Sequence, residues 1–261
     1  MIRAMRSAAS GMLAQQTQVD TIANNIANVN TAGFKRNRVN FRSLLYTTLR
    51  EPGASTTATQ RNPTGLQIGT GTEVSSSIKL HVQGDLEPTG NELDLAIQGD
   101  GFFKISLGNG EFRYSRDGSF RRDANGDLVT VDGFKLEPGI TIPQEALNLI
   151  VGQDGTVQAR VAGSETLQTI GQIRLIRFAN PSGLRAEGQN FFSVTGSSGQ
   201  PIEQTPGLQG AGFLRQGFLE RSNVAVVDEL INLIQAQRNY EVNSRTIQVA
   251  DEMLQQVSNL I

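Results

Sequence analysis

Residues 226–261 read VVDELINLIQAQRNYEVNSRTIQVADEMLQQVSNLI, and large apolar side chains recur in this stretch at every seventh position. The series runs without a break through Val226, Leu233, Tyr240, Ile247, Leu254 and Ile261. A strict seven-residue period is typical of an α-helix that packs along another helix with coiled-coil geometry. Polar residues lie where the second half of the stripe would continue, so we expect several neighbouring helices, and not one, to cover it; they are Gln237, Ser244, Asp251 and Ser258.

The other end of the chain predicts a second helix of the same kind. Its apolar stripe consists of Met5, Met12, Val19 and Ile26, and Gly33 is expected to end the helix. Asn24, Asn25 and Asn28 lie close together near the end of this helix. Each Asn inside a helix lowers the stability of the helix by about 0.5–0.7 kcal/mol relative to Ala. Neutral amides are less costly to bury than charges. We therefore predict that both stripes and these amides form the interface of a crowded helix assembly.

The middle of the chain changes to a period of two. Apolar residues alternate with polar ones in Leu93, Leu95 and Ile97, and turn pairs such as Asp117-Gly118 separate such segments. Short alternating segments between turns predict antiparallel strands. We therefore predict an α+β fold with three parts: residues 1–34 with 226–261 as a coiled-coil-like pair of helices, residues 35–80 as an extended connector rich in Thr, Gly and Pro, and residues 81–225 as an inserted all-β domain.

Composition excludes several classes of function. The formal net charge of −2 and pI of about 5.6 give no reason to expect a nucleic acid as partner. No apolar segment approaches the roughly 18 residues that cross a bilayer, and none near the start is typical of a cleaved signal peptide. The chain has no cysteine, which excludes disulfides, thiolate catalysis and Cys-ligated metals. We expect no membrane insertion and no cofactor.

Candidate catalytic and metal-binding residues are few. Asp123, Asn125 and Asp127 have the spacing of a calcium loop, but the Gly and the Glu that such a loop requires are missing, so a tight hairpin is predicted. His81 is the single histidine and is expected to be structural. No spacing supports a pair of catalytic carboxylates. The sequence predicts no enzyme, with a secreted β-rich enzyme and a monomeric binding module as the alternatives from other classes.

The sharpest cluster of charge lies just after the first helix and consists of Lys35, Arg36, Arg38 and Arg42. It is consistent with a solvated loop, with an interface to acidic residues of another subunit such as Asp228 and Glu229, or with a nucleic-acid contact. The last lacks a ladder of aromatic residues for base stacking. We favour the contact between subunits.

Short motifs at both ends resemble those of a known family. They are Ser10-Gly11-Met12, ANNIAN at 23–28 and TAGFK at 31–35, and then SNV at 222–224, QRNYE at 237–241 and DEML at 251–254. These motifs are similar to the end motifs of bacterial flagellar rod and hook proteins. NELDLAIQGDGFF at 91–103 and YSRDGSF at 114–120 are similar to core segments of the same family. The resemblance covers essentially the whole chain, and the connector is closer to that of rod members than to that of hook members.

The resemblance implies a structural protein. Rod proteins polymerise helically into the drive shaft that carries torque from motor to hook, with the terminal helices around a central channel and the β domain outside them. The implied partners are further copies of the chain, proximal-rod proteins, hook protein, peptidoglycan-ring and outer-membrane-ring proteins, and the flagellar type III export apparatus. The implied location is the basal-body rod across the periplasm, reached without a cleaved signal peptide. Another rod or hook-type axial protein is the alternative.

The start of the connector is predicted to bridge neighbouring subunits as a strut. Residues 46–65 reach about 65–70 Å if fully extended. Pro52 and Pro63 favour extended backbone, and Arg50 and Arg61 can pair with acidic neighbours, while Tyr46 begins the segment. A mobile linker is the alternative interpretation.

Overall fold

A computed structural model of the chain describes residues 1–53, 63–161 and 166–258. Two long helices, α1 (Ile2–Ala27) and α2 (Val226–Ser258), enclose a strand-rich middle in the sequence. Neither of these helices is long and apolar enough to cross a membrane, as far as the described residues extend. The predicted α+β fold, with a helix at each end and antiparallel sheets between them, is confirmed.

The strands are short. Within the described residues, one 3-10 helix, Pro181–Gly183, lies between two of them. In chain order they are β1 (Asn37–Ser43), β2 (Tyr46–Arg50), β3 (Leu66–Gly69), β4 (Thr72–Lys79), β5 (Leu86–Pro88), β6 (Leu95–Gln98), β7 (Phe103–Ser106), β8 (Phe112–Ser115), β9 (Arg121–Arg122), β10 (Leu128–Val129), β11 (Lys135–Glu137), β12 (Ala146–Val151), β13 (Thr156–Val161), β14 (Leu167–Gln172), β15 (Leu175–Arg177), β16 (Arg185–Gly188), β17 (Phe191–Ser193), β18 (Ile202–Gln204), β19 (Phe213–Gln216) and β20 (Phe218–Glu220).

The chain forms two compact units. The helical unit comprises Met1–Ala27, Asn37–Ile78 and Ala225–Ile261, and the β unit comprises Asn28–Arg36 and Lys79–Val224. The short segment 28–36 therefore belongs to the β unit, although α1 precedes it and β1 follows it in the sequence.

In the helical unit, α1 and α2 pack against each other in antiparallel orientation. Asn25 near the end of α1 hydrogen-bonds Glu229 near the start of α2, and Gly11 lies against Asn243 in the middle of both helices. Asp228 and Glu229 stand in the first turn of α2, where negative charge favours the helix dipole.

The β unit is built from several antiparallel sheets. The largest runs in the order β16-β17-β8-β7-β11-β10-β9, and a second runs β12-β13-β14. In β7 the predicted alternation is visible, because Phe103 and Ile105 are fully buried while Lys104 and Ser106 are partly exposed. The main core combines this buried face with Leu95, Leu136 and other apolar residues. The predicted Asp123–Asp127 turn joins β9 to β10 as a tight hairpin.

The connector differs from the prediction. Instead of a separate extended segment, residues 37–50 and 66–79 contain four strands, of which β1 pairs with β4 and β2 with β3. Residues 37–78 belong to the helical unit and residues 28–36 to the β unit. The Thr-rich composition that favoured a connector also suits strands, because β-branched side chains fit an extended backbone.

Candidate assembly interface

Small residues lie at the centre of the contact between the two helices. A Cβ atom added to Gly11 would lie 2.9 Å from Nδ2 of Asn243, so any side chain at this position would displace that amide. The buried residues of α2 are Glu229, Ala236 and Ala250, which together with Asn243 are spaced seven apart. This set, and not the predicted stripe of large residues, is the centre of the helix contact.

The predicted stripes flank this centre. Half-buried positions in the two helices are Met5, Met12, Val19, Ile26, Leu233, Ile247 and Leu254. Tyr240 is 44% exposed, and Ile261 lies outside the described residues. The sequence pattern follows the largest apolar side chains, but the distance between helix axes is set by the side chains at the contact, and small ones allow the closest approach. That the flanking residues contact other copies stays a prediction.

Asn25 has a role within the chain. It is 1% exposed, and its Nδ2 donates to the carbonyl of Asn37 at 2.9 Å and to Oε2 of Glu229 at 3.4 Å. Its Oδ1 accepts the backbone N–H of Asn37 at 2.9 Å. The amide thus pairs with both backbone groups of Asn37, as a neighbouring strand would, at the residue where β1 begins. For Asn25 the predicted contact between copies is wrong; for the exposed Asn24 and the half-buried Asn28 it stays a prediction.

Two apolar surfaces of α2 lie beside the predicted series of every seventh residue. The first, here called the start patch, consists of Val227, Leu230, Ile231 and Ile234, which are 69%, 46%, 50% and 50% exposed. The second, here called the end groove, has a volume of about 340 Å³ and is lined by Ala4, Val242, Arg245, Thr246, Val249, Ala250 and Met253. Spacings of three and four residues in VVDELINLI carried this information, but the stronger seven-residue period concealed it. Contiguous exposed apolar residues mark interaction sites.

The hairpin of β2 and β3 is a third exposed apolar surface. Tyr46 lies opposite Gly69, and Thr48 lies opposite Gln67, whose side chain donates to the threonine hydroxyl. The apolar residues at its surface are Leu45, Tyr46, Leu49, Leu66 and Ile68, with exposures of 88%, 58%, 52%, 49% and 39%. A two-stranded hairpin is marginally stable in water. Of the predicted strut residues, Arg50, Pro52 and Pro63 are also exposed, and Arg61 lies outside the described residues.

The charge cluster divides between the two units. Lys35 is 2% exposed, and its Nζ donates to Oε1 of Glu220 at 2.6 Å and to the carbonyl of Val82 at 2.8 Å. For Lys35 the predicted contact between subunits is therefore wrong. Arg42 pairs with Glu73 of the same chain and is largely exposed. Arg36 is half-buried and its N–H donates to Asn223, while Arg38 is exposed.

Glu220 connects three parts of the β unit. Its Oε1 accepts Lys35 and the N–H of Gly84, and its Oε2 accepts Nε of Arg116 at 2.5 Å. Arg116 donates its other nitrogens to the carbonyls of Gly101, Ile97 and Gly99. Burial alone would raise the pKa of Glu220, but the charges of Arg116 and Lys35 outweigh it and hold the pKa below its usual value. We call these three charged residues the Glu220 triad.

Gly33 holds the segment 28–36 against the rest of the β unit. It does not end α1 as predicted, because that helix stops at Ala27. Its φ of 67° is in the left-handed region, and its N–H donates to the carbonyl of Glu220 at 2.8 Å. A Cβ atom on Gly33 would lie 2.7 Å from the backbone nitrogen of Asp117. The glycine is needed for both reasons: the backbone conformation and the close approach of two chain segments.

Comparison with known proteins decides the family. A model of flagella basal body rod proteins matches residues 5–35, a model of the D1 domain of flagellar hook protein FlgE/F/G matches 96–159, and a model of the FlgEFG rod protein C-terminus matches 215–260. Proteins named flagellar basal-body rod protein FlgG from Buchnera aphidicola (subsp. Acyrthosiphon pisum) and Borreliella burgdorferi are 46% and 45% identical over 260 and 262 residues. These alignments cover 100% of this chain and 100% and 99% of theirs. The chain belongs to the flagellar rod and hook protein family.

Relatives that are named FlgG rod proteins support the rod type within this family. The FlgG rod protein of Bacillus subtilis is 41% identical over 265 residues, whereas the hook-basal body complex protein FlhP of the same bacterium is 31% identical over 268 residues. The predicted function, a structural subunit of the flagellar basal-body distal rod, is confirmed at this level. This rod protein is not an enzyme.

His81 lies in an unusual environment in this rod protein. Its ring packs edge-on against Phe102 and Phe192, with centroids 5.6 and 5.7 Å apart. Burial, together with the positive charges of Lys35, Lys79 and Arg116, lowers the pKa of His81 from 6.5 to about 4. The histidine is therefore neutral in the folded β unit at neutral pH, in agreement with the structural role that the sequence analysis expected.

The β unit of the rod protein should lose stability as the pH falls from 6.5 towards 4. In this window the unfolded chain protonates His81 and the folded chain does not, so the free energy of unfolding falls by about 1.4 kcal/mol per pH unit and by roughly 3 kcal/mol in total. Urea unfolding at several pH values measures this slope. Because the chain has a single histidine, His81→Gln isolates its contribution, and an unchanged slope in that variant would contradict the assignment.

Proposed function

We propose that this chain polymerises helically into the rigid, hollow distal rod that carries torque from the motor to the hook. The helical unit forms the inner tube around the export channel, and the β unit forms the outer layer. The observation that carries the proposal is the exposed apolar surface of the helical unit, in the start patch, the end groove and the β2–β3 hairpin, in a chain that matches rod proteins over its full length.

The same proposal includes partners and location. Further copies of the chain are the main partner, with proximal-rod proteins below, hook protein above, and peptidoglycan-ring and outer-membrane-ring proteins around the shaft. Unfolded subunits would reach the growing end through the flagellar type III export apparatus without a cleaved signal peptide, and the rod would span the periplasm. The family membership and the helical-unit surfaces support the contacts between copies; the other contacts rest on the family resemblance.

Electron microscopy of basal bodies tests the proposal. A tagged copy of the chain is produced in a strain that lacks its own distal-rod gene, and gold-labelled antibody locates the tag. Labelled, straight rods between the motor and the hook are expected, together with restored swimming. Basal bodies that end below the hook, with the tagged chain remaining unassembled, would contradict it.

The strut is the part of the proposal that concerns stiffness. A bending shaft requires subunits to slide along one another, and a segment that is fastened to a neighbouring subunit opposes this movement. The hairpin of β2 and β3 exposes five apolar side chains, and burial of each such group in a contact contributes roughly 25 cal/mol per Å² of apolar surface. We propose that a neighbouring copy covers this hairpin and that the contact stiffens the rod.

Removal of the hairpin should give rods that assemble but bend. The N–H of Leu44 donates to the carbonyl of Gly71 at 2.9 Å, so residues 45–70 can be replaced by an Asn-Gly turn without moving β1 or β4. The curvature of isolated rods in electron micrographs measures the effect. A triple variant, Tyr46→Ser, Leu49→Ser and Ile68→Ser, should bend likewise, whereas the exposed polar control Gln67→Ser should stay straight. Straight rods in both the deletion and the triple variant would refute the strut.

A further inference from the structure

The β unit contains a partly open cavity of about 210 Å³ beside His81. All of its lining residues belong to this unit. The ionised side chains among them are Lys35, Asp100, Arg116 and Arg177, and His81 is the remaining polar side chain. The cavity is therefore lined mainly by cations, and the proposed assembly surfaces of the helical unit do not include it.

The charges around the cavity do not balance. Lys35 and Arg116 share one carboxylate, that of Glu220, while Arg177 and Asp100 add one charge of each sign. Three cations thus stand against two carboxylates, an excess of one positive charge. Lys35 and Arg116 are buried, whereas Asp100 is exposed, so the excess lies on the buried side. Cations that are shielded from water attract an anion more strongly than exposed ones do.

His81 senses this positive field. Both of its ring nitrogens are buried, and neither makes a hydrogen bond of ordinary distance and angle to a described residue. The charges of Lys35, Lys79 and Arg116 all disfavour the protonated ring. The carbonyl of Pro181 favours it, but with a smaller effect. The cations near the ring therefore lack a full counter-charge, and an anion in the cavity would supply it.

Arg177 is the cation that a ligand can reach. It is partly exposed, and its Nη1 donates to the carbonyl of Gln209 at 2.8 Å, while its other nitrogens make no hydrogen bond with a described residue. A guanidinium with free N–H groups suits the paired oxygens of a carboxylate or phosphate. Lys35 and Arg116 are already held by Glu220 and by backbone carbonyls, so they act on a ligand mainly through their charge.

We propose that this cavity is a binding site for a small oxyanion, a carboxylate or phosphate group, which Arg177 holds directly and for which Lys35 and Arg116 are the buried counter-charges. The site goes beyond the proposed rod function, and an isolated chain can show it without polymerising. A free ion and an acidic side chain of a second copy supply the same chemistry, so the experiment has to separate these two sources.

NMR spectroscopy of the untagged, isolated chain tests the site, because His81 is its only histidine and gives one set of ring resonances after histidine labelling. Sodium acetate or sodium phosphate, added at pH 7 and constant ionic strength in exchange for sodium chloride, should shift these resonances along a saturable curve. Resonances that do not move, or that move linearly without saturation, would overturn the inference.

Three variants separate direct binding from a general effect of charge. Arg177→Gln should raise the dissociation constant for acetate about fivefold or more, because it removes the direct donor. Asp100→Asn should lower this constant about twofold or more, because it removes a like charge from the site. Arg174→Gln is the matched control: Arg174 is exposed, pairs with Glu203 and does not line the cavity. Equal weakening by Arg177→Gln and Arg174→Gln would overturn the assignment.

Rods purified from cells identify the source of the group. Solid-state NMR of histidine-labelled rods, in buffer without acetate or phosphate, shows whether His81 has the resonances of the bound or of the free site. Bound-state resonances that added acetate leaves unchanged indicate an acidic side chain of a second copy, and free-state resonances that acetate shifts indicate a free ion. A chain that binds acetate but forms no rods would contradict the proposed function alone, whereas rods from a chain that binds no oxyanion would overturn only this inference.

Discussion

Replacement of Glu220 by glutamine should lower the free energy of unfolding of the β unit by about 3–5 kcal/mol. The substitution preserves the shape of the side chain but leaves Lys35 and Arg116 as buried cations without a counter-charge, at 2% and 6% exposure. Removal of one partner of a buried ion pair is costly because the remaining charge has already lost its hydration. Urea unfolding, monitored by loss of the β-sheet circular dichroism signal, measures the effect.

Glu87→Gln is the matched control. Glu87 lies on β5 directly opposite Leu219, the neighbour of Glu220 on β20, and pairs with Arg221 at 3.5 Å, with both side chains more than half exposed. An exposed pair of this kind contributes at most about 1 kcal/mol. If the two substitutions lower the free energy of unfolding equally, burial does not make the ion pairs of the Glu220 triad more stabilising than an exposed pair, and the prediction is wrong.

Replacement of Ala236 by glutamate should abolish rod assembly. Ala236 is 3% exposed at the centre of the contact between α1 and α2. A carboxylate there lacks room and loses its hydration, with a cost of several kcal/mol in every subunit. We expect the helix pair to separate and the start patch and end groove to lose their support. The count of rods in micrographs of basal bodies, and swimming in soft agar, measure the result.

Gln237→Glu introduces the same charge one residue further along α2, where the side chain is exposed. It should leave the helix pair intact and allow rods to form. Ile26→Glu and Leu254→Glu, at half-buried positions beside the centre, should weaken assembly less than Ala236→Glu. Normal rods from Ala236→Glu would show that the helix pair is not required for assembly.

Local patterns in the sequence were enough to predict the kind of fold. Periodicity is a local property: a period of seven requires a helix with one covered stripe, and a period of two between glycine turns requires strands, whatever their neighbours are. The two helices, the strand-rich middle and the hairpin at Asp123–Asp127 could therefore be predicted. The end motifs were sufficient for the family, because they recur as short contiguous segments.

Which residues contact each other could not be predicted from these local patterns. The centre of the helix contact contains Ala236 and Ala250, since two helices approach most closely at small side chains, and size is not visible to a pattern of hydrophobicity. Glu220 meets Lys35 across 185 positions of sequence, and Asn25 pairs with the backbone of Asn37, contacts that no local pattern encodes. The start patch can be recognised only in the folded chain, because α1 packs against a different side of α2 and leaves these residues exposed. Burial and pairing depend on residues distant in the chain, and the folded chain brings these together.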